Sequence, residues 1–171
     1  MLQRPDSQEY ASYYSTYTDL VPEGDYTSFL RNQLHVITTL YEQLSEERSE
    51  GRYAPGKWSL KEVLGHITDT ERVMSYRMLR ILRGDSTNLP GFDQDVFMAN
   101  ASFQHVSLLT LLDDFKAVRS ATFSLLTTLT EETDWLRTGR VNDIAISARS
   151  LAYIIAGHAE HHIGVIQNKY L

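Results

Sequence analysis

Three of the six histidines in this chain lie within five residues near its C-terminus. His158 and His162 are four residues apart, a spacing that stacks two side chains on one face of an α-helix. Neutral imidazole is the commonest protein ligand for metals, and two histidines at this spacing can chelate one ion. His66 lies on the apolar stripe of another predicted helix, so three imidazoles would meet if the helices face each other. Three histidines leave coordination positions open, as in catalytic zinc sites.

Two neighbouring residues leave this ligand set open. His161 is three residues from His158, so helical geometry also permits that pair; we favour His162 and treat His161 as a flanking group or proton donor. Asp69, one turn after His66, could orient a ligand imidazole, touch the metal or act as a base. The competing interpretation is a set of structural histidines, the usual role of an isolated one. For the cluster we favour a metal, because burying several imidazoles in an aliphatic stripe has a polar cost that an ion offsets.

Composition narrows the classes of function. At 171 residues the chain is predicted to form one domain, residues 1–171, with its own core. A net charge of -6 without any basic run argues against nucleic acid as a partner. No apolar stretch approaches the ~20 residues needed to span a membrane, and the N-terminus lacks an apolar signal core, so we expect a cytoplasmic protein. The chain has no cysteine, so any thiol must come from a small molecule.

Four long helices are predicted to position the histidines. A capping box formed by Ser59 and Glu62 marks the start of the second helix, while Asp25 and Ser147 can cap the first and fourth. The long connector at 84–106 allows the third helix to run parallel to the second. No strand-like alternation persists. The predicted helices cover about 25–48, 59–83, 107–130 and 147–169, and they pack most simply as an all-α four-helix bundle.

Two groups of residues outside the cluster could contact a substrate. Three tyrosines before the first helix could cover the mouth of the site, but we favour packing of an N-terminal arm onto the bundle. Three arginines that follow His66 along the second helix could attract a carboxylate, although we favour a solvated helix face. These residues are Tyr13, Tyr14 and Tyr17, and Arg77, Arg80 and Arg83.

Several segments resemble the DinB/YfiT-like superfamily. The motif at 58–72, WSLKEVLGHITDTER, is similar to the second helix of that family, and AGHAEHHIGVI at 156–166 is similar to its last helix. The segments LPGFDQD at 89–95 and VPEGD at 21–25 extend the resemblance over nearly the whole chain. The histidine-bearing motifs are specific, and the other segments support them.

The resemblance implies a fold, a metal and an assembly. The fold is a four-helix bundle in up-down-down-up order, often assembled as a dimer. The metal is divalent, zinc or nickel, and is held by three histidines that match His66, His158 and His162 here. Characterised members of the family include metal-dependent transferases that use bacillithiol or mycothiol, and many others are described as hydrolases.

Three functions follow from these patterns. The leading hypothesis is a thiol S-transferase acting on small electrophiles, in which a metal lowers the pKa of the thiol. The second is a metal-dependent hydrolase of small molecules, with Asp69, Asp93 or Asp95 as the nearest carboxylates. The third is a metal-stabilised binding or stress-response module without catalysis.

Overall fold

The computed structural model describes residues 2–171, most of which lie in helices. The four long helices form a four-helix bundle in up-down-down-up order, and the three shorter ones lie at its ends and edges. The long helices are α2 (Tyr26–Glu42), α4 (Leu60–Leu82), α6 (Leu108–Leu126) and α7 (Ala148–Lys169). The short helices are α1 (Ser15–Thr18), α3 (Glu46–Ser49) and α5 (Gln94–Asn100).

Side-chain caps begin the long helices where the sequence predicted them. Ser59 Oγ accepts a hydrogen bond from the Glu62 amide, and the Glu62 carboxylate accepts one from the Ser59 amide at 2.6 Å. Asp25 caps α2, and Ser147 caps α7. Each cap satisfies amide groups that a helix N-terminus leaves without an intrahelical partner. The residues at which α4 and α7 begin, the two helices that carry the histidines, are therefore set locally.

The helix predicted over 25–48 is shorter than expected. It ends at Glu42, and a new short helix, α3, begins four residues later. The Ser45 hydroxyl caps α3 by accepting from the Arg48 amide at 3.1 Å. A serine followed by acidic residues favours a helix start over continuation, which is why the apolar periodicity alone misplaced this end.

The helix predicted over 107–130 also ends early, at Leu126. The hydroxyls of Thr127 and Thr128 donate to backbone carbonyls three residues earlier, both at 2.8 Å. Such local side-chain bonds compete with continued helical bonding.

A small sheet lies beside the end of α4, and the sequence interpretation missed it. Its strands are β1 (Asn88–Leu89), β2 (Thr138–Val141) and β3 (Ile144–Ser147). β1 is parallel to β2, and β2 is antiparallel to β3. Asn142 and Asp143 join β2 to β3 with φ of 48° and 62°, the left-handed backbone of a two-residue hairpin turn. Strand-like alternation does not persist in the sequence because two to four residues are too few to display a period.

The core consists of two apolar clusters, and the histidines lie where these meet. One cluster joins the N-terminal residues to the later part of α4 and the first half of α7, including Met74 and Ala156. The other joins α2 and α6 to the first part of α4 and the second half of α7, including Ile67 and Ala159. Within residues 2–171, none of the helices is both long and apolar enough to cross a membrane.

Candidate metal centre

Three histidine side chains converge between α4 and α7. His158 Nε2 lies 2.9 Å from His66 Nε2 and 3.2 Å from His162 Nε2. One ring nitrogen from each residue lies within 4.8 Å of the other two. The side chains are almost fully enclosed, with 4%, 5% and 9% of His66, His158 and His162 exposed. The structure thus brings together the three histidines that the sequence analysis favoured.

Hydrogen bonding alone does not account for this arrangement. The Nε2 atom of a neutral imidazole carries either a proton or a lone pair, so His158 Nε2 can satisfy only one of its two neighbours well. A tetrahedral ion with metal–nitrogen bonds of about 2.0–2.1 Å separates its ligand nitrogens by about 3.3 Å. The two short separations at His158 approach that value. The donor set therefore fits a divalent cation that accepts three lone pairs.

The electrostatics of the site also favour a cation. Burial lowers the pKa of His66 to about 4 and that of His162 to about 3, and the neighbouring imidazoles add to the effect. Burial and the same neighbours lower the pKa of His158 well below its ordinary value. The three rings are neutral at pH 7, so their lone pairs are available without the loss of a proton.

The two tentative site residues lie outside this converging group. His161 is half-buried, and its ring centroid lies 5.1 Å from that of His162. The Asp69 carboxylate accepts a hydrogen bond from Arg72 Nη1 at 3.2 Å, and burial raises its pKa. Within the described part of the chain, the converging group contains histidines alone. The roles suggested for His161 and Asp69 stay predictions.

Two cavities border the histidine cluster. The first, which we call the arm cavity, has a volume of about 320 Å³ and is bounded by the N-terminal residues and His158. The second, the C-terminal cavity, has a volume of about 340 Å³ and is bounded by His162 and the end of α7. The arm cavity is lined by residues including Tyr13, Tyr14, Tyr17, Thr70, Phe92 and His158, and the C-terminal cavity by residues including Trp58, Asp95, His161, His162 and Tyr170.

The N-terminal tyrosines both pack against the bundle and line a cavity. Tyr14 is buried in the core, and the Tyr17 ring lies edge-on to His158 with centroids 5.3 Å apart. α1 can lie this close to α7 because residue 157 is glycine. A β-carbon on Gly157 would lie 2.0 Å from the Tyr17 carbonyl oxygen. The arm and the site are therefore one packed unit.

Substitution of Gly157 by alanine is expected to displace the arm. Overpacking of this kind costs about 1–3 kcal/mol, and backbone atoms have little freedom to yield. Gly164→Ala is the matched control, because a β-carbon there meets nothing within 4 Å and alanine favours helix. Urea denaturation should show a loss for Gly157→Ala and no loss for Gly164→Ala. Equal stability of both variants would contradict the close approach of α1.

Two further residues near the site, Trp58 and Thr70, had not been assigned to it, and the candidate carboxylates Asp93 and Asp95 separate. The Trp58 ring lies 4.7 Å from the His66 ring between centroids. Thr70 lines the arm cavity, and its buried hydroxyl has no hydrogen-bond partner among residues 2–171. The sequence could have indicated that Thr70 lies near the site, because residues four apart on a helix, here His66 and Thr70, share one face. Asp95 lines the C-terminal cavity, whereas Asp93 caps α5.

The prediction that the three arginines of α4 form a solvated face is wrong for Arg77. Arg77 is only 3% exposed, although Arg83 on the next turns is exposed. The N-terminal residues and the loop after β1 cover Arg77, and neither contact could be read from the periodicity of α4.

The fold and the site define a helical bundle with three converging histidines at the junction of its two core clusters. The DinB superfamily matches residues 30–166, and the chain belongs to that superfamily. The resemblance noted in the sequence is thereby confirmed.

A sequence relative and a solved structure are similar to this chain, and the solved structure supports the fold. A protein of Oceanobacillus iheyensis is 27% identical over 125 residues, which cover 72% of this chain and 71% of that protein. YfiT from Bacillus subtilis, described as having an unusual four-helix bundle topology, superposes with a TM-score of 0.70 at 16% identity. That superposition covers 96% of this chain and 90% of YfiT. Both descriptions assign those proteins provisionally to the metal-dependent hydrolases.

Proposed function

We propose that this protein is a divalent-metal-dependent enzyme that transfers a low-molecular-weight thiol to a small electrophile. The observation that carries the proposal is the position of the histidine cluster between two cavities, one bounded by His158 and the other by His162. A transfer reaction needs two substrates at one reacting centre, and two pockets of comparable volume provide room for both.

His66, His158 and His162 would hold the ion, and three nitrogen ligands suit zinc or nickel. When bound, the metal supplies Lewis acidity that lowers the pKa of a thiol. Since the chain has no cysteine, that thiol belongs to a co-substrate. The proposal therefore divides the work between an ion fixed by the protein and a thiol brought to it.

The residues around the cluster would position the reactants and handle protons. His161 lines the C-terminal cavity beside His162, where an imidazole can accept the proton that the thiol releases. The rings of Trp58 and Tyr17 lie against His66 and His158, and so limit the access of water. The arm cavity is lined by phenols and apolar groups, which suits an uncharged part of the electrophile.

Metal-dependent hydrolysis is the second candidate, and two observations favour it. Asp95 lines the C-terminal cavity together with His162, so a carboxylate base is available to an attacking water. The similar proteins are themselves described as metal-dependent hydrolases. We rank it second because the converging group itself, within residues 2–171, contains no carboxylate.

The two candidates differ in their need for thiol. Protein reloaded with zinc or nickel should conjugate monochlorobimane to added cysteine, bacillithiol or mycothiol faster than the metal-free protein does. His66→Ala should abolish the excess rate, whereas His105→Ala, an exposed histidine, should retain it. Release of 4-nitrophenol from 4-nitrophenyl acetate without thiol would favour hydrolysis. Absence of both activities would overturn the proposal in favour of a non-catalytic module.

A further inference from the structure

Arg77 is a buried cation without a carboxylate partner. Its side chain lies on α4 and is only 3% exposed. The guanidinium donates to the Pro90 carbonyl oxygen at 2.7 Å and approaches the Met74 sulfur at 3.5 Å, and it lies 5.5 Å from the centre of the Phe92 ring. The titratable side chains that act on it are the phenols of Tyr14 and Tyr13, and burial lowers its pKa.

Arg77 lacks the counter-charge that a second deeply buried arginine of the bundle, Arg119, possesses. Arg119 is fully enclosed and forms an ion pair with Glu71, whose carboxylate oxygens lie 2.9 Å and 3.0 Å from its Nε. A buried charge is costly unless a counter-charge accompanies it. Nothing among residues 2–171 gives Arg77 such a partner within ion-pair distance, so its surroundings are suited to an anion from outside.

A small cavity gives access to Arg77. It has a volume of about 110 Å³ and lies between the N-terminal residues, α4 and the β2–β3 hairpin. Its wall also includes Asn142, whose Oδ1 accepts a hydrogen bond from the Gly91 amide at 2.6 Å. Because the Asn142 oxygen accepts this bond, the other terminal atom of the side chain is the amide nitrogen Nδ2. This nitrogen donates no hydrogen bond to any described residue. A guanidinium and an amide donor thus line the same cavity.

This cavity borders the arm cavity that leads to the histidines. Tyr13, Tyr14 and Phe92 line both. Arg77 follows His66 by eleven residues, which is about 16 Å along the helix axis, and its side chain leans back towards the helix N-terminus. A ligand with its charged group at Arg77 and its remainder in the arm cavity therefore needs an extended uncharged body, as an arylalkyl acid has.

We propose that Arg77 and Asn142 bind the carboxylate of a small molecule whose uncharged portion occupies the arm cavity beside His158. This inference rests on the function proposed above. It identifies the electrophilic substrate as a carboxylic acid with an apolar body. A guanidinium presents paired N–H donors that match the two oxygens of a carboxylate. The small volume and single cation favour a carboxylate over a larger, doubly charged phosphate.

The test is a comparison of 4-phenylbutyrate with 4-phenylbutyramide, which differ in charge but hardly in shape. Calorimetric titration of the full chain, both metal-loaded and chelator-treated, should show tighter binding of the acid in both forms. Arg77→Met and Asn142→Asp should each weaken binding of the acid by about tenfold or more and leave the amide unchanged. Arg83→Met, at the exposed C-cap arginine of α4 six residues after Arg77, is the matched control and should bind as the parent does.

Asn142→Asp keeps the proposal testable if Arg77→Met fails to fold. Aspartate tolerates left-handed backbone and retains the oxygen that accepts from Gly91, yet it places a negative charge at the site. Equal affinity of the parent for acid and amide would overturn the proposal. So would binding of the acid that survives Arg77→Met but disappears with the metal or in His158→Ala, because the ion would then hold the carboxylate. Binding that persists in metal-free protein would support this site even if the thiol-transfer proposal failed.

Discussion

Alanine substitution of His66, His158 or His162 is expected to leave less than about a tenth of the metal that the parent protein carries. Residues that merely orient a ligand already change metal affinity by about 10–100-fold, so loss of a direct ligand should exceed that. The measurement is elemental analysis of protein purified without an affinity tag. The parent should hold close to one ion per chain.

Two histidine variants serve as controls. His161→Ala removes an imidazole from the same turn of α7, and His105→Ala removes an exposed one that is not part of the converging group. Both should keep the metal, and added metal should raise the melting temperature of both as it does for the parent, because an ion that binds the folded state stabilises it. Retention of metal by His162→Ala together with its loss from His161→Ala would replace His162 by His161 in the ligand set.

Arg119→Met is expected to cost about 3–5 kcal/mol of unfolding free energy, the largest loss of stability that we predict. Arg119 is 0% exposed and Glu71 is 2% exposed, and Thr122 donates to the same carboxylate at 2.7 Å. Methionine retains the packing of the stem but leaves the Glu71 charge buried without its counter-charge. Urea denaturation measures the loss.

An exposed ion pair on the same helix provides the comparison. Lys116 donates to Glu42 at 3.0 Å, and both side chains are substantially exposed. Lys116→Met should cost less than about 1 kcal/mol, because water solvates both charges well. The double variant Arg119→Met/Glu71→Leu should recover much of the single loss, since no charge then remains buried. A loss for Arg119→Met no greater than that for Lys116→Met would contradict the buried pair.

The buried pair also bears on the histidine cluster. Arg119 Nη1 donates to Gln33 Oε1 at 3.4 Å, and Gln33 Nε2 donates to the Ala156 carbonyl oxygen at 2.8 Å. Gln33 Nε2 also donates to the Glu160 carboxylate at 2.8 Å. These bonds connect α2, α4, α6 and α7 within one turn of His158. The network therefore helps to set the position of α7 against α4, on which convergence of the imidazoles depends.

The sequence by itself determined the features that depend on short separations along the chain. The spacing of His158 and His162 puts both rings on one helix face whatever the helix packs against. Ser59 and Ser147 likewise specify helix starts through bonds to amides within three residues. The apolar stripes require each long helix to bury one face, and that requirement leads to a bundle.

Only the tertiary structure decided which groups from distant segments meet. His66 reaches His158 because α4 and α7 pack at one particular rotation and height, which the periodicity of either helix leaves free. The β2–β3 hairpin carries Asn142 to the cavity beside Arg77, and the arm covers that arginine on a face that appears polar in sequence. Burial and the absence of a counter-charge depend on what packs from elsewhere in the chain, so the helical pattern of α4 could not reveal them.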